Sequence, residues 1–289
     1  MRNLDHFVVT VEDLAAAQQA YRRLGFSVMP KARHAAIGTA NHIIQLHDTY
    51  LELLGDLDQC SFEPLKQRFA SRRAAGDGFY INCLTSTDLK PDRDALLAKR
   101  HACGEILSAR RQVTMPDGSL DETASDCFYV WRDEPRLTST LFYAAHGKPH
   151  VIWFEPWQSH PNTAMTTLSL TYASDDLRAD EPYFTDLFGA APAERGASSL
   201  IYKTPRGERF EVFTHEALHA RYGQHTPARS GLAVRGVGIR YGVASLDVCR
   251  AALLSTGTPF TEAVGVITVA AEHACGVVTE FSQLPRKSL

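Results

Sequence analysis

Apolar runs alternate with amphipathic stretches along the chain, and the same order of stretches returns four times. Each repeat opens with an apolar run of strand length, passes an acidic or serine turn, and continues as an amphipathic stretch that ends at a glycine. It closes with another apolar run that carries one glutamate. Self-similarity of this kind indicates an internal repeat, so the pattern predicts four βαβββ units.

The first two repeats give the most detailed prediction. In the first, an opening strand at 3–10 is followed by Leu14, Ala17 and Tyr21, which recur at helical spacing before Gly25. Its later strands are predicted at 26–29, 41–46 and 50–54. The second repeat is predicted to have a strand at 78–84, a helix from about 92 to 104, and a closing strand at 151–155.

The repeat also predicts the class of fold. Each unit has one amphipathic helix and a half-buried sheet, and it must pair with another unit to bury a face. The pattern therefore predicts an α+β protein with two domains, at residues 1–160 and 165–285, each made of two units. The stretch between them, 157–163, is polar and contains a proline, which is typical of a linker.

Two polar residues stand alone in otherwise apolar strands. His6 lies in the opening strand of the first repeat, and Glu52 lies in its closing strand. A buried charge is costly unless it is paired or bound to a metal, and both residue types are common metal ligands. The pair is therefore either a hydrogen-bonded feature of the core or part of a functional site.

Several short segments carry a resemblance to a known family. They are Leu4-Asp5-His6, Asp13-Leu14, His34 before Gly38-Thr39-Ala40-Asn41, Tyr50-Leu51-Glu52-Leu53, Arg110 or Arg111 before Pro116-Asp117-Gly118, Trp131, Pro149 and His160-Pro161-Asn162. With these, the sequence resembles the vicinal oxygen chelate superfamily, which includes glyoxalase I, bleomycin-resistance proteins and extradiol dioxygenases. Its glyoxalase-like domain subgroup is the most similar. The resemblance is good over 1–162 and rests mainly on the repeat over 165–282.

The resemblance implies a site. Paired units of this superfamily curl into an open, cup-shaped sheet, and the first and fourth strands of each unit hold a metal or a substrate in the cup. Aligned on their turns, the units have Ile81, Ser169 and Gly238 in the position of His6, and Glu155, Glu211 and Glu280 in the position of Glu52.

The implied metal ligands are His6, Glu52 and Glu155, and the implied ion is divalent zinc, manganese, iron, nickel or cobalt. Ile81 cannot ligate a metal, which departs from the family pattern. In the second half only Glu211 and Glu280 remain, so no metal site is predicted there.

Four further residues are candidates for substrate binding: His34, Asn41, Arg111 and His150. His34 lies in the loop before Gly38, where a polar group would reach a ligand. A guanidinium in the long polar loop at Arg111 would clamp an anionic substrate.

One motif is predicted to be a decoy. His215-Glu216-Ala217-Leu218-His219 matches the H-E-x-x-H pattern of zinc proteases, with His225 at the spacing of a third ligand. The glycine of the longer motif is displaced, and the stretch follows directly on the strand at 210–213. We therefore expect a solvated helical turn that binds no zinc.

The length, net charge and cysteine content of the chain argue against some classes of function. With 289 residues and a net charge of −3, the chain lacks the basic balance of a nucleic-acid binder. It has no apolar run of transmembrane length, and we expect its start to be a short strand and not a signal peptide. The six scattered cysteines indicate free thiols in a reducing cytoplasm. The sequence leaves open whether the chain forms a homodimer.

Two hypotheses of function remain. The first is a metal-dependent lyase or isomerase that acts on a small oxygenated molecule, stabilises an enolate, and moves a proton with Glu52 or Glu155. The second is a metal-free protein that binds or sequesters a small molecule, as the bleomycin-resistance relatives imply. Ring-cleaving dioxygenase activity is less expected, because the iron of that class lies in the second domain.

Overall fold

The computed structural model describes residues 2–34, 37–115, 117–132, 140–229 and 234–285. The strands of the first half are β1 (Leu4–Thr10), β2 (Ala32–Arg33), β3 (Ala40–Gln45), β4 (Tyr50–Gly55), β5 (Gly78–Thr85), β6 (Ala102–Cys103), β7 (Leu107–Ala109), β8 (Gln112–Thr114), β9 (Leu120–Glu122), β10 (Ser125–Trp131) and β11 (Thr140–His146). Its helices are α1 (Leu14–Arg23), α2 (Glu63–Ala74) and α3 (Leu89–Ala98).

The second half begins at the next long strand. Its elements are β12 (Ala164–Ser174), α4 (Leu177–Phe188), β13 (Glu194–Arg195), β14 (Ser199–Lys203), β15 (Arg209–Thr214), α5 (His215–Tyr222), β16 (Val234–Val243), α6 (Leu246–Ser255), β17 (Thr261–Ala263), β18 (Val266–Val269) and β19 (Val278–Gln283). Within the described ranges, no helix is long and apolar enough to cross a membrane.

Each half builds one large mixed sheet, and the two large sheets have the same plan, while β8 and β9 form a separate two-stranded sheet. The first runs β2-β3-β4-β1-β5-β11-β10-β6, with β7 also paired to β10, and the second runs β13-β14-β15-β12-β16-β19-β18-β17. In both, the opening strands of the two units pair antiparallel at the centre, and each pairs in parallel with the closing strand of its own unit. The predicted fold class, paired βαβββ units in open mixed sheets, is confirmed.

The turns that open the repeat helices are built as the sequence predicts. Asp13, Asp88, Asp176 and Ser245 each stand before a helix and accept a hydrogen bond from a backbone N–H of its first turn. Such N-cap bonds satisfy amides that have no partner inside the helix. The four caps therefore fix the same strand-to-helix junction in every unit.

The apolar core is shared between the halves. One cluster of buried side chains contains residues of both sheets. Phe26 packs edge-on against Tyr241, with ring centroids 5.0 Å apart, and Phe79 lies 5.3 Å from Tyr172. The halves thus bury one common core, and the division into domains at 1–160 and 165–285 stays a prediction.

The predicted strand at 151–155 is wrong. The structure has 3-10 turns at Pro149–Val151 and Glu155–Gln158, and the closing strand of the second unit is β11. Pro149 opens the first turn, and the backbone N–H of Phe154 donates to the Gln45 side chain instead of to a neighbouring strand. The chain at these positions therefore leaves the sheet.

Three smaller expectations also differ from the structure. Residues 26–29 form no strand, because the N–H of Ser27 donates to His160 at 3.0 Å. The second repeat helix spans Leu89–Ala98 and not 92–104. Helix α2 was not predicted, since Leu65 and Phe69 are its only buried apolar side chains among those described, too few for a clear helical pattern.

Candidate functional site

The helix caps align the two units of the first half. His6 stands seven residues before the cap Asp13, and Ile81 stands seven before the cap Asp88. The predicted equivalence of His6 and Ile81 therefore agrees with the geometry of the fold. A histidine and an isoleucine occupy matching places on the two central strands.

The closing strands contribute a second matched pair. Glu52 lies opposite Val8, two residues after His6, and Phe142 lies opposite Cys83, two residues after Ile81. Phe142, and not Glu155, therefore holds the closing-strand position of the second unit. His6, Glu52, Ile81 and Phe142 all line one cavity of about 130 Å³, which we call the inner cavity.

Two predicted site residues lie elsewhere. Glu155 is exposed in the turn Glu155–Gln158 and is not among the residues that line the inner cavity. Its assignment as a metal ligand and catalytic group is wrong, because the strand assumed to carry it does not form. His150 is also exposed, with Nε2 3.8 Å from a carboxylate oxygen of Asp121, and its assignment to substrate binding is likewise corrected.

Asp5 orients two imidazoles that face the inner cavity. Its carboxylate lies 2.6 Å from His6 Nδ1 and 3.0 Å from His146 Nε2, and the residue is 4% exposed. Burial alone would raise the pKa of Asp5, but the hydrogen bonds from His146 and His6 and the charges of these rings hold it far below its usual range. An ionised carboxylate thus fixes both rings from behind.

Asp5 could not be recognised from the strand pattern. In a regular strand the side chains of Asp5 and His6 would point to opposite faces. The register of β1 against β5 shifts between Leu4 and His6, an irregularity of the bulge type. Bulges re-aim side chains near functional sites, and here Asp5 reaches the ring of its own neighbour.

His146 continues this network to a hydroxyl group. Its Nδ1 lies 2.7 Å from Ser125 Oγ, across the pair formed by β10 and β11. Burial would lower the pKa of His146, but the hydrogen bond to Asp5 raises it above its ordinary value. Ser125, His146 and Asp5 therefore form a hydrogen-bonded chain that begins at the inner cavity.

Glu52 is held from one side by an amide. Asn41 Nδ2 donates to Glu52 Oε1 at 2.7 Å, and His34 Nε2 lies 3.5 Å from the same oxygen. Burial lowers the pKa of His34, which favours its neutral ring. The other carboxylate oxygen, Oε2, lies 4.0 Å from His6 Nε2, too far for a direct hydrogen bond. The structure therefore brings the predicted residues His34, Asn41, Glu52 and His6 together.

The remaining walls of the inner cavity are mostly apolar. Tyr50 stacks on His6 with ring centroids 4.3 Å apart, and Phe142 meets the same imidazole edge-on at 5.1 Å. Arg111 also lines the cavity, and burial lowers the pKa of its guanidinium. A few polar groups gathered in an apolar cavity are typical of a small-molecule site.

The matching place in the second half is filled by arginines. Glu211 and Glu280 stand at the closing-strand positions of β15 and β19, opposite Thr171 and Arg240. Arg221 donates to Glu211 at 2.6 Å and to Glu280 at 2.9 Å. Arg240 also donates to Glu280, and Arg209 donates to Glu211.

Arg221 belongs to α5, the helix of the H-E-x-x-H motif. His215, its first residue, is paired with Asp175 at 2.9 Å, and His219 is exposed. Among the residues that the structure describes, neither histidine belongs to a cluster of three potential metal ligands. The motif therefore forms a helix whose Arg221 side chain contacts Glu211 and Glu280, in the part of the second half that matches the inner cavity. We call this part the second cup, and the part around the inner cavity the first cup.

A family comparison agrees with this geometry. The family model described as a glyoxalase-like domain matches residues 4–188. The chain belongs to the glyoxalase-like domain family. With its structural neighbours, this places it in the vicinal oxygen chelate superfamily. No curated protein matches it in sequence.

The structural neighbours of this glyoxalase-like protein share its fold at low identity. A hypothetical protein from Staphylococcus aureus has a TM-score of 0.70 and 10% identity, with 98% of this chain and 100% of that chain covered. A mutant of 4-hydroxymandelate synthase from Streptomyces coelicolor has a TM-score of 0.59 and 11% identity, over 98% of this chain and 93% of that one. A fusion of a xylose isomerase-like TIM barrel and 4-hydroxyphenylpyruvate dioxygenase has a TM-score of 0.61 and 12% identity, over 100% and 50%.

The residues of this glyoxalase-like protein do not fit the metal that its superfamily implies. Ile81 and Phe142 offer no donor atom at two of the four positions, which leaves His6 and Glu52. In the described ranges the one cluster of three potential ligands is Asp5, His6 and Cys83. Within this set the Asp5 carboxylate already bonds the imidazoles of His6 and His146, so its ligand atoms are engaged inside the protein.

Proposed function

We propose that the protein is a lyase or isomerase that moves a proton on a small oxygenated molecule in the inner cavity, with its own side chains and not with a metal. The observation that carries the proposal is the placement of Glu52 Oε2 and His6 Nε2, 4.0 Å apart within one largely apolar cavity. A substrate atom about 3 Å from each would contact both groups, which is the reach that proton transfer requires.

Both groups are oriented by neighbours. Asn41 occupies Oε1 of Glu52, so Oε2 is the oxygen that faces His6. Asp5 accepts the Nδ1–H of His6, and this leaves Nε2 directed toward Glu52. A carboxylate and an imidazole with fixed, opposed polar atoms suit the roles of general base and general acid.

The chemistry follows from these roles. Glu52 removes a proton from a carbon beside a carbonyl group, and negative charge then develops on the carbonyl oxygen. Hydrogen-bond donors placed at that oxygen stabilise the enolate. Arg111 is such a donor on the cavity wall, and His6 becomes one through Nε2 when its ring carries a second proton.

The direct test is exchange of carbon-bound protons with solvent. The protein, treated with a chelator, is incubated in D₂O with pyruvate, 2-oxobutanoate or dihydroxyacetone, and proton NMR follows the loss of the signal beside the carbonyl. We expect catalysed exchange with at least one probe and a loss of roughly 100-fold or more in Glu52→Gln. Glu155→Gln is the matched control, because Glu155 is exposed outside the cavity, and it should exchange at the normal rate.

A second candidate is a binding protein without chemistry. The apolar walls favour it, since Ile81 and Phe142 stand where other members would place ligands, and Tyr50 adds further contact area. This candidate predicts that a probe binds to saturation. It also predicts that proton exchange is no faster than in buffer, both for the wild type and for Glu52→Gln. These two results together would favour the binding protein over the enzyme.

A further inference from the structure

The inner cavity adjoins a second, much larger depression. This outer groove has a volume of about 1400 Å³, and Arg110 and Arg111 line both spaces. The two arginines lie on the segment between β7 and β8. A molecule that reaches Glu52 from the groove therefore passes these guanidinium groups.

Most charges of the outer groove are already satisfied within the chain. Lys31 and Arg33 pair with Asp56, at 3.0 and 3.2 Å, and Arg110 pairs with Asp126 at 3.2 Å. The guanidinium of Arg111 has no hydrogen bond or ion pair to any residue that the structure describes. The guanidinium of Arg111 is therefore the positive group in this passage that is available to form an ion pair with a ligand.

Arg111 also sits in a costly environment. It is part-buried, burial lowers its pKa, and the charge of Glu52 in the inner cavity opposes this shift. An arginine stays protonated in proteins, so a buried guanidinium without a partner is unfavourable. A carboxylate on the ligand would supply the missing partner through a charge-assisted, bidentate hydrogen bond.

The outer groove has apolar walls beyond the arginines. Met29, Val113, Met115, Phe154 and Trp157 line it, and all five pack in one cluster with Tyr50. An apolar chain laid along these side chains would be removed from water, and burial of this kind contributes roughly 0.8 kcal/mol per methylene group. The groove therefore favours a tail and not a second charged group.

We propose that the ligand is a carboxylate with an apolar tail, whose carboxylate pairs with Arg111 and whose tail lies in the outer groove. The inference rests on the site of the proposed function and adds the class of its substrate. In this orientation the carboxylate end of the ligand points from the outer groove toward the inner cavity, and the atoms nearest that end lie closest to Glu52 and His6.

The test is a comparison of hexanoate, hexanamide and acetate as probes of the full chain. Isothermal titration and the fluorescence of the tryptophans report binding. We expect hexanoate to bind at least about tenfold more tightly than hexanamide, because a hydrogen bond to a charged group contributes roughly that factor. Acetate should bind more weakly than hexanoate, because it has no tail. Arg111→Gln should bring the hexanoate-to-hexanamide ratio close to one.

Two control variants give the result its meaning. Arg33→Gln removes a guanidinium of the same groove that is already paired with Asp56, and it should leave the ratio unchanged. Trp157→Ala should weaken hexanoate more than acetate. Equal binding of hexanoate and hexanamide, an unchanged ratio in Arg111→Gln, or no binding of hexanoate at millimolar concentration would each overturn the inference.

The two proposals fail in distinguishable ways. Glu52→Gln removes the proposed base and leaves Arg111 in place, so hexanoate binding should persist in this variant while proton exchange is lost. Hexanoate binding without exchange in wild type would refute the enzyme and retain the ligand class. Proton exchange on neutral dihydroxyacetone, with no preference for carboxylates in binding, would support the enzyme and refute the ligand class.

Discussion

Arg221 donates to Glu280 at 2.9 Å in the second cup, where the superfamily pattern would place a metal ligand. The same guanidinium bonds Glu211, so one side chain joins the closing strands of both units. The guanidinium of Arg221 thus lies between the two carboxylates at the closing-strand positions. This arrangement supports the prediction that the second half has no metal site.

The first prediction concerns this arginine. Arg221→Met should lower the free energy of unfolding by about 3 kcal/mol, because it leaves two buried carboxylates with fewer cations. Arg209 and Arg240 still pair with them, which limits the loss. Urea denaturation measures the change. Arg250→Met is the control, since that arginine forms its ion pairs at the surface, and it should change the unfolding midpoint little. Equal effects of the two variants would contradict the prediction.

The second prediction restores the missing ligands of the first cup. Ile81 and Phe142 stand at the positions matched to His6 and Glu52. The double variant Ile81→His, Phe142→Glu should therefore bind cobalt and zinc more tightly than the wild type, since two imidazoles and two carboxylates form a suitable set. Visible absorption of the cobalt form and a metal-dependent rise in melting temperature report the gain.

The fold of the double variant must be checked before metal is added. Phe142→Glu buries a carboxylate that has no partner until metal binds, so circular dichroism and the melting temperature of the metal-free variant are compared with wild type.

Wild-type protein purified without a histidine tag should hold less than stoichiometric metal. His215→Ala with His219→Ala should leave that content unchanged, and stoichiometric zinc lost in this second variant would show that the motif on α5 binds metal after all.

The parts of the fold that the sequence predicted are those set by local patterns. The opening strands are largely apolar, and the helix caps follow His6, Ile81 and their equivalents at a constant distance. The closing strand of the second unit was assigned to 151–155 and not to β11, because β11 carries no glutamate. Pro149 turns the chain out of the sheet before Glu155.

The site was predicted in part for a related reason. His6, Glu52, His34 and Asn41 could be found because each is a polar residue in or beside an apolar strand of one unit. The contact of Asp5 with His6 depends on a register shift in β1. The contact of His146 with Ser125 depends on how β10 and β11 pair. Such contacts arise from tertiary structure, and strand alternation alone does not predict them.

The last prediction concerns how the Asp5–His146 pair depends on pH. The pKa of Asp5 is lowered in the folded chain, so its contribution is present above the ordinary value of 3.8 and is lost as the pH falls through its folded value. The pKa of His146 is raised, so its contribution is present below 6.5 and is lost as the pH rises through its folded value. Between 3.8 and 6.5 both contributions are present.

Asp5→Asn tests this because it keeps the shape of the side chain and removes its charge. At pH 6 it should lower the free energy of unfolding by about 3 kcal/mol, since it leaves His146 without a buried counter-ion. The loss should shrink as the pH rises above 6.5, where His146 of the wild type gives up its proton. Urea denaturation of both proteins between pH 5 and 9, values chosen to span the ordinary pKa of histidine at roughly 6.5, measures the difference. A difference that is constant over this range would mean that Asp5 acts only as a hydrogen-bond acceptor, with no ion pair to His146.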